Sequence, residues 1–377
     1  MTSLPYIIVC MVLFYLYLNE NRTFKVFSVA GAQRTAFAIL LIFIGLRGHI
    51  YSDFISYYKF FEELPNIFRF DSAFFSEWYF EPGYVIFSSI IKTVAPNYYA
   101  WVFINTLIDL LVFRYIFKRY TSSQILPFVF FLAFNGLFVE FNLYRNVKAI
   151  ELFLLSIPFL EKKKMLPYMA LNLLGMTFHS SSILYLPLYF LLDKNIPRYI
   201  HWGGIIISNI IFLGQLHVIS DILNSLDIFQ SLEAFDKLVS HADNSNNSYG
   251  ISFGHIERTA SVIIFTLLYD KLCNQNRSNR IFYNCFWFYY ITFLCFYEVT
   301  VLTERIPILF VFGYWILYSN TVVLKYKYRQ VIYALAMLLV IVKVYMSNNI
   351  PPAKYENILF GIESYETRRD LYESFAD

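Results

Sequence analysis

Residues 141–192 read FNLYRNVKAIELFLLSIPFLEKKKMLPYMALNLLGMTFHSSSILYLPLYFLL, and the placement of charge in this stretch decides the fold class. Three apolar runs follow one another, with charges only at their ends. Lys162, Lys163 and Lys164 mark one end; Arg145, Lys148 and His179 mark the other. A lysine cluster is what a membrane helix leaves in the cytoplasm. The second group then lies on the opposite side, where positive charge points to an anionic substrate.

Composition agrees with a lipid environment. Hydrophobic residues make up 58% of the 377 residues and charged residues only 15%, with a mean hydropathy of +0.50. A soluble domain carries roughly a quarter of its residues charged. A water-facing core could not hide 41 Phe and 32 Tyr. The expected class is all-α, a polytopic transmembrane helix bundle. The net charge of +3 is shared among short loops and gives no reason to expect nucleic acid as a partner. Cys10, Cys273, Cys285 and Cys295 fall in or beside apolar runs, with neither metal-ligand spacing nor a disulfide framework. The first 22 residues lack a basic leading region and a small-residue cleavage site, and read as a retained helix.

Apolar runs near 4–18, 28–46, 99–117, 124–141, 146–160, 165–178, 180–192, 200–217, 257–270, 281–298, 306–320 and 328–345 give about twelve candidate spans. A further run, 82–95, begins Glu81-Pro82-Gly83 and carries Lys92; it reads as re-entrant or interfacial. With both termini outside, the inward loops carry Arg22/Lys25/Arg34, Arg114/Lys118/Arg119, Lys162–Lys164, Lys194/Arg198, Lys271/Arg277/Arg280 and Lys325/Lys327/Arg329. The bias recurs at six loops, which fixes the expected orientation. The chain is expected to form a single integral membrane domain, 1–377. Its outward parts are a first outer (periplasmic) loop, 47–81, a large outer loop, 218–256, and a polar C-terminal tail, 346–377. No P-loop, dinucleotide fingerprint, HExxH, GxSxG or paired-cysteine zinc motif is present, and no internal repeat favours an inverted-repeat transporter.

Descending helices in such a bundle begin at the outer face, where unpaired N–H groups and the helix dipole suit phosphate. Arg145 with Lys148, His179 with Ser180–Ser182, Arg258 and Arg305 are expected at these N-termini. A cation there is unfavourable by some tenths of a kcal/mol unless an anion offsets it. Each has a plainer reading. Arg145 and Lys148 can snorkel to headgroups, and Lys148 can pair with Glu151. Arg258 sits beside Glu257, Arg305 beside Glu304, and His179 can serve as an interfacial cap. Arg47 ends an ascending helix, where the dipole already favours a cation. Asp53, Glu62 and Glu63 read as loop acids; Tyr57 and Tyr58 suit an interface belt or sugar stacking. Asp109 and Glu151 are buried carboxylates, functional or helix-pairing.

These residues, in order, resemble the EpsG-like branch of bacterial polysaccharide polymerases, which includes the O-antigen polymerases called Wzy. Gly45-Leu46-Arg47, then Asp53, then Tyr57-Tyr58, is similar to the family's Gly-x-Arg…Asp…Tyr segment. Glu81-Pro82-Gly83-Tyr84 is similar to its Glu-Pro-Gly-Tyr element. Asn142-Leu143-Tyr144-Arg145-Asn146 stands where a short Arg-Gln motif is common, with Asn146 departing from the Gln. Phe178-His179-Ser180-Ser181-Ser182 with Leu186-Pro187-Leu188 resembles a Phe-His-x-Ser…Leu-Pro element, and Glu304-Arg305 falls where a late Arg is common.

The resemblance implies a GT-C-like fold and glycosyl transfer at the outer face of the bacterial inner membrane, with no metal and no cofactor. Donor and acceptor are then undecaprenyl-pyrophosphate-linked glycans, and a chain-length regulator is a further candidate partner. The leaving group is lipid pyrophosphate, whose charge arginine forks can hold. Arg145 and Arg305 take that role, with Arg47, Arg258 and Lys148 as further ligands. His179 and Asp53 are the candidate bases, and Tyr57 and Tyr58 hold the acceptor sugar. A lipid-linked oligosaccharide flippase, a lipid-monophosphate-dependent glycosyltransferase and a polysaccharide O-acyltransferase are the alternatives.

Overall fold

A computed structural model describes residues 2–69, 80–218, 251–325 and 327–376. Most of the expected outer loop 218–256 therefore lies outside the described residues. The described chain is helical, and its only β contacts are isolated bridges, Arg47 with Asn357 and Asn357 with Gly361. It divides into two compact units: Met1–Tyr189 with Tyr318–Asp377, and Phe190–Leu317.

In chain order the first unit contains α1 (Leu4–Glu20), α2 (Val29–Gly45), α3 (Phe54–Glu63), α4 (Pro82–Val94), α5 (Tyr98–Tyr120), α6 (Leu126–Ala133), α7 (Gly136–Asn142), α8 (Tyr144–Glu161) and α9 (Met165–Met176). The second contains α10 (Arg198–Leu213), α11 (Phe253–Gln275), α12 (Asn279–Cys295) and α13 (Thr300–Ile308). The division falls within α14 (Phe312–Val322), and α15 (Arg329–Asn348) and α16 (Tyr365–Ala376) belong to the first unit.

Local chemistry sets the ends of these helices. Asn97 caps α5, accepting from the N–H groups of Tyr99 and Ala100 at 3.0 and 3.2 Å. Lys118 and Arg119 occupy its last turn, where the helix dipole favours cations. Ser28 caps α2 in the same way, taking the Gly31 N–H at 3.0 Å. Pro82 opens α4, where its missing N–H costs nothing.

Among the described residues two helices, α5 and α15, are long and apolar enough to cross a membrane, and α1, α2 and α9 are shorter apolar helices. At 13 residues, α4 is roughly 20 Å long, short of the ~30 Å hydrocarbon core. Three expected straight spans are broken. In 124–141, Asn135 adopts a left-handed conformation (φ 57°) and separates α6 from α7. In 306–320, Pro307 lies at the end of α13 and the chain turns before α14 begins. The run 180–192 is not an α-helix: it forms two 3-10 helices, Ser180–Tyr185 and Pro187–Phe190. The serines compete for backbone groups and Pro187 has no N–H to continue a ladder.

Within the first unit, α1 packs on α2, α6 and α15; α2 packs on α5; and α8 packs on α5 and α9. Glu20 at the end of α1 bonds Ser123 and the Gln124 N–H, and Arg119 at the end of α5 pairs with Glu161 of α8 at 3.1 Å. Three of the basic loops expected on one side thus gather at one end of this unit. At the other end lies an aromatic cluster from α3, α4, α5 and the start of α8: Tyr57, Phe60, Phe61, Tyr84, Tyr98, Trp101 and Tyr144. Rings of this size supply most of the apolar burial available to a short helix.

In the second unit, α10, α11 and α12 pack on one another. Asn284 ties α12 to the segment before α10 by donating to the Leu192 and Lys194 carbonyls at 2.8 and 3.2 Å, and Arg280 pairs with Asp193. The Tyr290 hydroxyl joins Asn209 of α10 and Thr259 of α11 at 2.6 and 2.9 Å.

Candidate functional site

The aromatic cluster ends in a group of polar side chains drawn from four separate segments. Tyr57 lies on the buried face of α3, one turn after Asp53, which begins that helix. Asn142 fixes this start, its Oδ1 facing the N–H groups of Ser52 and Asp53 at 3.4 Å each. Two residues later, Tyr144 packs on Tyr57 at 4.6 Å between centroids and stacks on Trp101 at 5.4 Å and 14°. The next residue, Arg145, is thereby delivered to the cluster from the first turn of α8.

Arg145 is held by three groups. Its Nη1 pairs with Glu81, its Nε donates to the Tyr57 hydroxyl at 3.2 Å, and its guanidinium lies 4.4 Å from the Phe80 ring centroid. Among the described residues its Nη2 has no hydrogen-bond partner, and its side chain is 22% exposed. Glu81 uses its other oxygen to accept the Ser180 N–H at 3.0 Å. Burial raises the Glu81 carboxyl, but the Ser180 N–H bond and the Arg145 charge outweigh it and hold the group below the usual carboxylate range.

The neighbouring glycine explains how Glu81 reaches Ser180. The Tyr84 N–H donates to the Thr177 carbonyl at 3.2 Å, so α4 begins directly against the end of α9. A Cβ at position 83 would lie 2.7 Å from that carbonyl oxygen and collide with the Thr177 side chain. Only glycine fits this approach.

His179 is buried and caps the following 3-10 helix: its Nδ1 accepts the Ser181 N–H at 3.2 Å and lies 2.7 Å from the Ser181 hydroxyl. An Nδ1 that accepts a backbone N–H places the neutral ring's proton on Nε2. Tyr58 packs on the edge of the same cluster, 4.9 Å from Tyr98 between centroids, and stacks on Tyr365 at 4.8 Å.

The remaining candidates are elsewhere. Arg47 is buried, and its fork is occupied by the Ile44 carbonyl and Thr106 hydroxyl on Nη1 and the Glu140 carbonyl on Nη2, at 2.9, 3.0 and 2.9 Å. It closes the C-terminal end of α2 and ties it to α5 and α7. Lys148 is buried, paired with Asp109 of α5 and 3.4 Å from the Asn105 carbonyl. Its ion-pair partner is therefore across the interface, not Glu151 along the helix. In the second unit, Arg258 lies near the start of α11, donating to the Tyr289 hydroxyl at 3.0 Å with its guanidinium 3.7 Å from the Phe293 ring centroid. Arg305 is exposed and sits in the last turn of α13, not at a helix N-terminus as expected. The break after Pro307 ends that helix, and the next one, α14, begins only at Phe312, beyond Arg305. Among the described residues, no three His, Cys, Asp or Glu side chains are gathered to hold a metal ion.

Four segments of the resemblance thus meet at Arg145: those of Tyr57, Glu81, Arg145 itself and His179–Ser180. The EpsG family profile matches residues 33–359, most of the chain. The chain belongs to the EpsG family. No curated protein and no solved structure matches it. The EpsG family is membrane-associated and linked to polysaccharide synthesis, which agrees with the apolar helices of this chain.

Glu81 was legible as part of the Glu-Pro-Gly-Tyr element, yet nothing in its local sequence marks it as the partner of an arginine 64 positions on. Asn142 and Phe80 carry no sequence signal of their own for the roles they fill.

Proposed function

We propose that this EpsG-family protein is a polysaccharide polymerase of the O-antigen or capsule type. It joins undecaprenyl-pyrophosphate-linked repeat units by glycosyl transfer at the outer face of the bacterial inner membrane. In this reading the chain is multi-pass, with about twelve crossings in a GT-C-like arrangement, and the site faces the periplasm. The observation that carries the proposal is the meeting of Tyr57, Glu81, Arg145 and Ser180, from four distant segments, around one guanidinium whose Nη2 has no hydrogen-bond partner among the described residues.

The acceptor hydroxyl attacks the donor's anomeric carbon; the bond from that carbon to the pyrophosphate oxygen breaks, and the pyrophosphate leaves with the electron pair. Arg145 Nη2 donates to a phosphate oxygen as charge develops there, while Glu81 and Tyr57 keep the fork from rotating. The acceptor proton goes to Asp53. His179, with Nδ1 engaged by Ser181, acts in this scheme by shaping the Ser180 turn that presents its N–H to Glu81. Tyr57 and Tyr58 border the acceptor sugar. Arg47 and Lys148 act by holding α2, α5, α7 and α8 in register. Arg258 and Arg305 remain further proposed pyrophosphate ligands.

A strain lacking the gene, complemented with each variant, tests this. The deletion strain is expected to accumulate single lipid-linked repeats on the outer face, and Glu81→Gln is expected to leave that phenotype uncorrected at normal protein levels. Repeats trapped on the inner face would instead identify a flippase. Long-chain glycan of normal length from Glu81→Gln would remove the site assignment.

A further inference from the structure

Residues 348–376 are bound to the loop between α2 and α3 along its whole length. The N–H groups of Gly48 and Tyr51 donate to the carbonyls of Glu356 and Pro352 at 3.0 and 2.9 Å, and Ile358 N–H returns to Leu46 at 2.9 Å. The Asn357 side chain donates to the Ile42 carbonyl at 2.9 Å, and the Tyr51 hydroxyl to Asn348 Oδ1 at 2.7 Å. A solvated tail has no use for such a register.

Arg368 is the centre of this attachment, with a side chain only 1% exposed. Nε donates to the His49 carbonyl at 2.8 Å, and Nη2 donates to Pro352 and Lys354 carbonyls at 3.2 and 3.1 Å. Nη1 faces the carboxylates of Glu356 and Glu363 at 3.8 and 3.7 Å. One guanidinium thus ties α16, the 350–356 turn and the loop before α3. Three residues earlier, Tyr365 stacks on Tyr58 at 4.8 Å and 23°, lies edge-on to Phe54 at 5.9 Å, and donates its hydroxyl to the Ile55 carbonyl at 3.2 Å. Phe54, Ile55 and Tyr58 all belong to α3, whose first turns also carry Asp53 and Tyr57.

We infer that residues 348–376 are a clasp that positions α3, and that Arg368 and Tyr365 are positioning residues for the acceptor side of the site. The family match ends at residue 359, so both lie outside the matched part. The physical reason for a clasp is the isolation of α3. It is a ten-residue helix, too short to be stable alone. Its buried face meets the aromatic cluster, and Tyr365 extends that packing over Phe54 and Tyr58. Without that cover the helix can rock, and Asp53 and Tyr57 rock with it. The consequence for the acceptor rests on the polymerase reading; the mechanical claim does not.

Two measurements on the full chain in lipid vesicles separate these. The first places a spin label on Ser56→Cys, an exposed α3 position, with Cys273 and Cys295 changed to serine. Arg368→Ala and Tyr365→Ala are expected to raise label mobility there and to leave a label on Lys162→Cys unchanged. The second follows repeat-unit addition against the concentration of lipid-linked acceptor. Loss of about one hydrogen bond's worth of ordering should raise the half-saturating concentration about tenfold and leave the maximal rate within about twofold. Unaltered mobility at position 56 in either folded variant overturns the clasp. Raised mobility with unaltered acceptor dependence overturns its role at the site. A wild-type protein that adds no repeats overturns the polymerase reading, and the labels still decide the clasp.

Discussion

Arg145→Ala and Arg145→Lys together test whether the fork or merely its charge matters. Alanine removes the Glu81 ion pair, the bond to Tyr57 at 3.2 Å and the contact with Phe80 at 4.4 Å. The pair is about one-fifth exposed on each side, so its worth lies between the ~0.5 kcal/mol of a surface pair and the several kcal/mol of a fully buried one. With ~0.5–1 kcal/mol from the ring contact, the expected loss of stability is about 2 kcal/mol. That leaves the protein folded and inserted. The catalytic loss is larger, because a donor aimed at developing charge contributes about 3 kcal/mol to the transition state, or 10²–10³ in rate. Lysine can still meet Glu81, so it should restore most of the stability. It cannot bond Tyr57 and a phosphate oxygen from one rigid plane, so the rate should stay at least ~30-fold down. The assay is the glycan ladder from complemented cells, read against membrane protein level. A normal ladder from Arg145→Lys would show that a point charge suffices and refute the fork.

Other outcomes follow from the same geometry. Gly83→Ala should push α4 off the Thr177 carbonyl, costing about 1–3 kcal/mol and separating Glu81 from Ser180, seen as a lower melting temperature and a shortened ladder. Lys148→Met leaves Asp109 buried without its partner and should lower membrane protein level through a loss of about 3–5 kcal/mol; adding Asp109→Leu should recover much of it. Because the Glu81 pKa is depressed below 4.5, its stabilisation is present above that value and is lost as pH falls below it, so the wild type should lose thermal stability below pH 4.5 more steeply than Glu81→Gln. Burial and the Arg368 charge push His49 down from 6.5 to about 4. The unfolded chain then binds the extra proton first, so stability should fall by up to about 3 kcal/mol as pH drops through that window. His49→Gln should flatten that slope in thermal unfolding, and an unchanged slope would contradict it.

How much of this was legible depended on where charge and turn residues stood. The lysines at 162–164 end α8 at Glu161, and Asn97, Ser28 and Pro82 start helices where their side chains dictate. The runs between them carried less information. In 124–141 every residue but Gln124, Asn135, Gly136 and Glu140 suits either a lipid face or a core, so periodicity could not reveal the left-handed break at Asn135. The 180–192 run passed as a span because hydropathy ignores hydrogen-bond pattern, and two 3-10 helices have the same composition as one α-helix. Pairing was harder still. Lys148 has a carboxylate three positions away on its own helix, and nothing in its neighbourhood favours Asp109, 39 positions back. The site itself was readable only as a set of resembling segments. Their meeting point is a property of the aromatic packing that brings Tyr144 onto Tyr57 and Trp101.

A cation at a helix N-terminus carries a different meaning once its partner is known. Arg145 does sit in the first turn of α8, where the dipole opposes it by some tenths of a kcal/mol. Glu81 already supplies the offsetting anion, so the position by itself no longer requires an exogenous one. The same pairing gives a different and stronger reason to expect a ligand. A guanidinium clamped on two edges by Glu81 and Tyr57 has lost most of its rotational freedom, and its remaining Nη2 points from a fixed base. Binding an oxygen there costs little further ordering, which is the condition under which a single donor discriminates a transition state from a ground state. In the proposed polymerase, neutralisation by Glu81 would lower the affinity for resting pyrophosphate without weakening the directional bond. A polymerase that must release its lipid pyrophosphate after each transfer gains from that balance, whereas an unpaired arginine would hold the product.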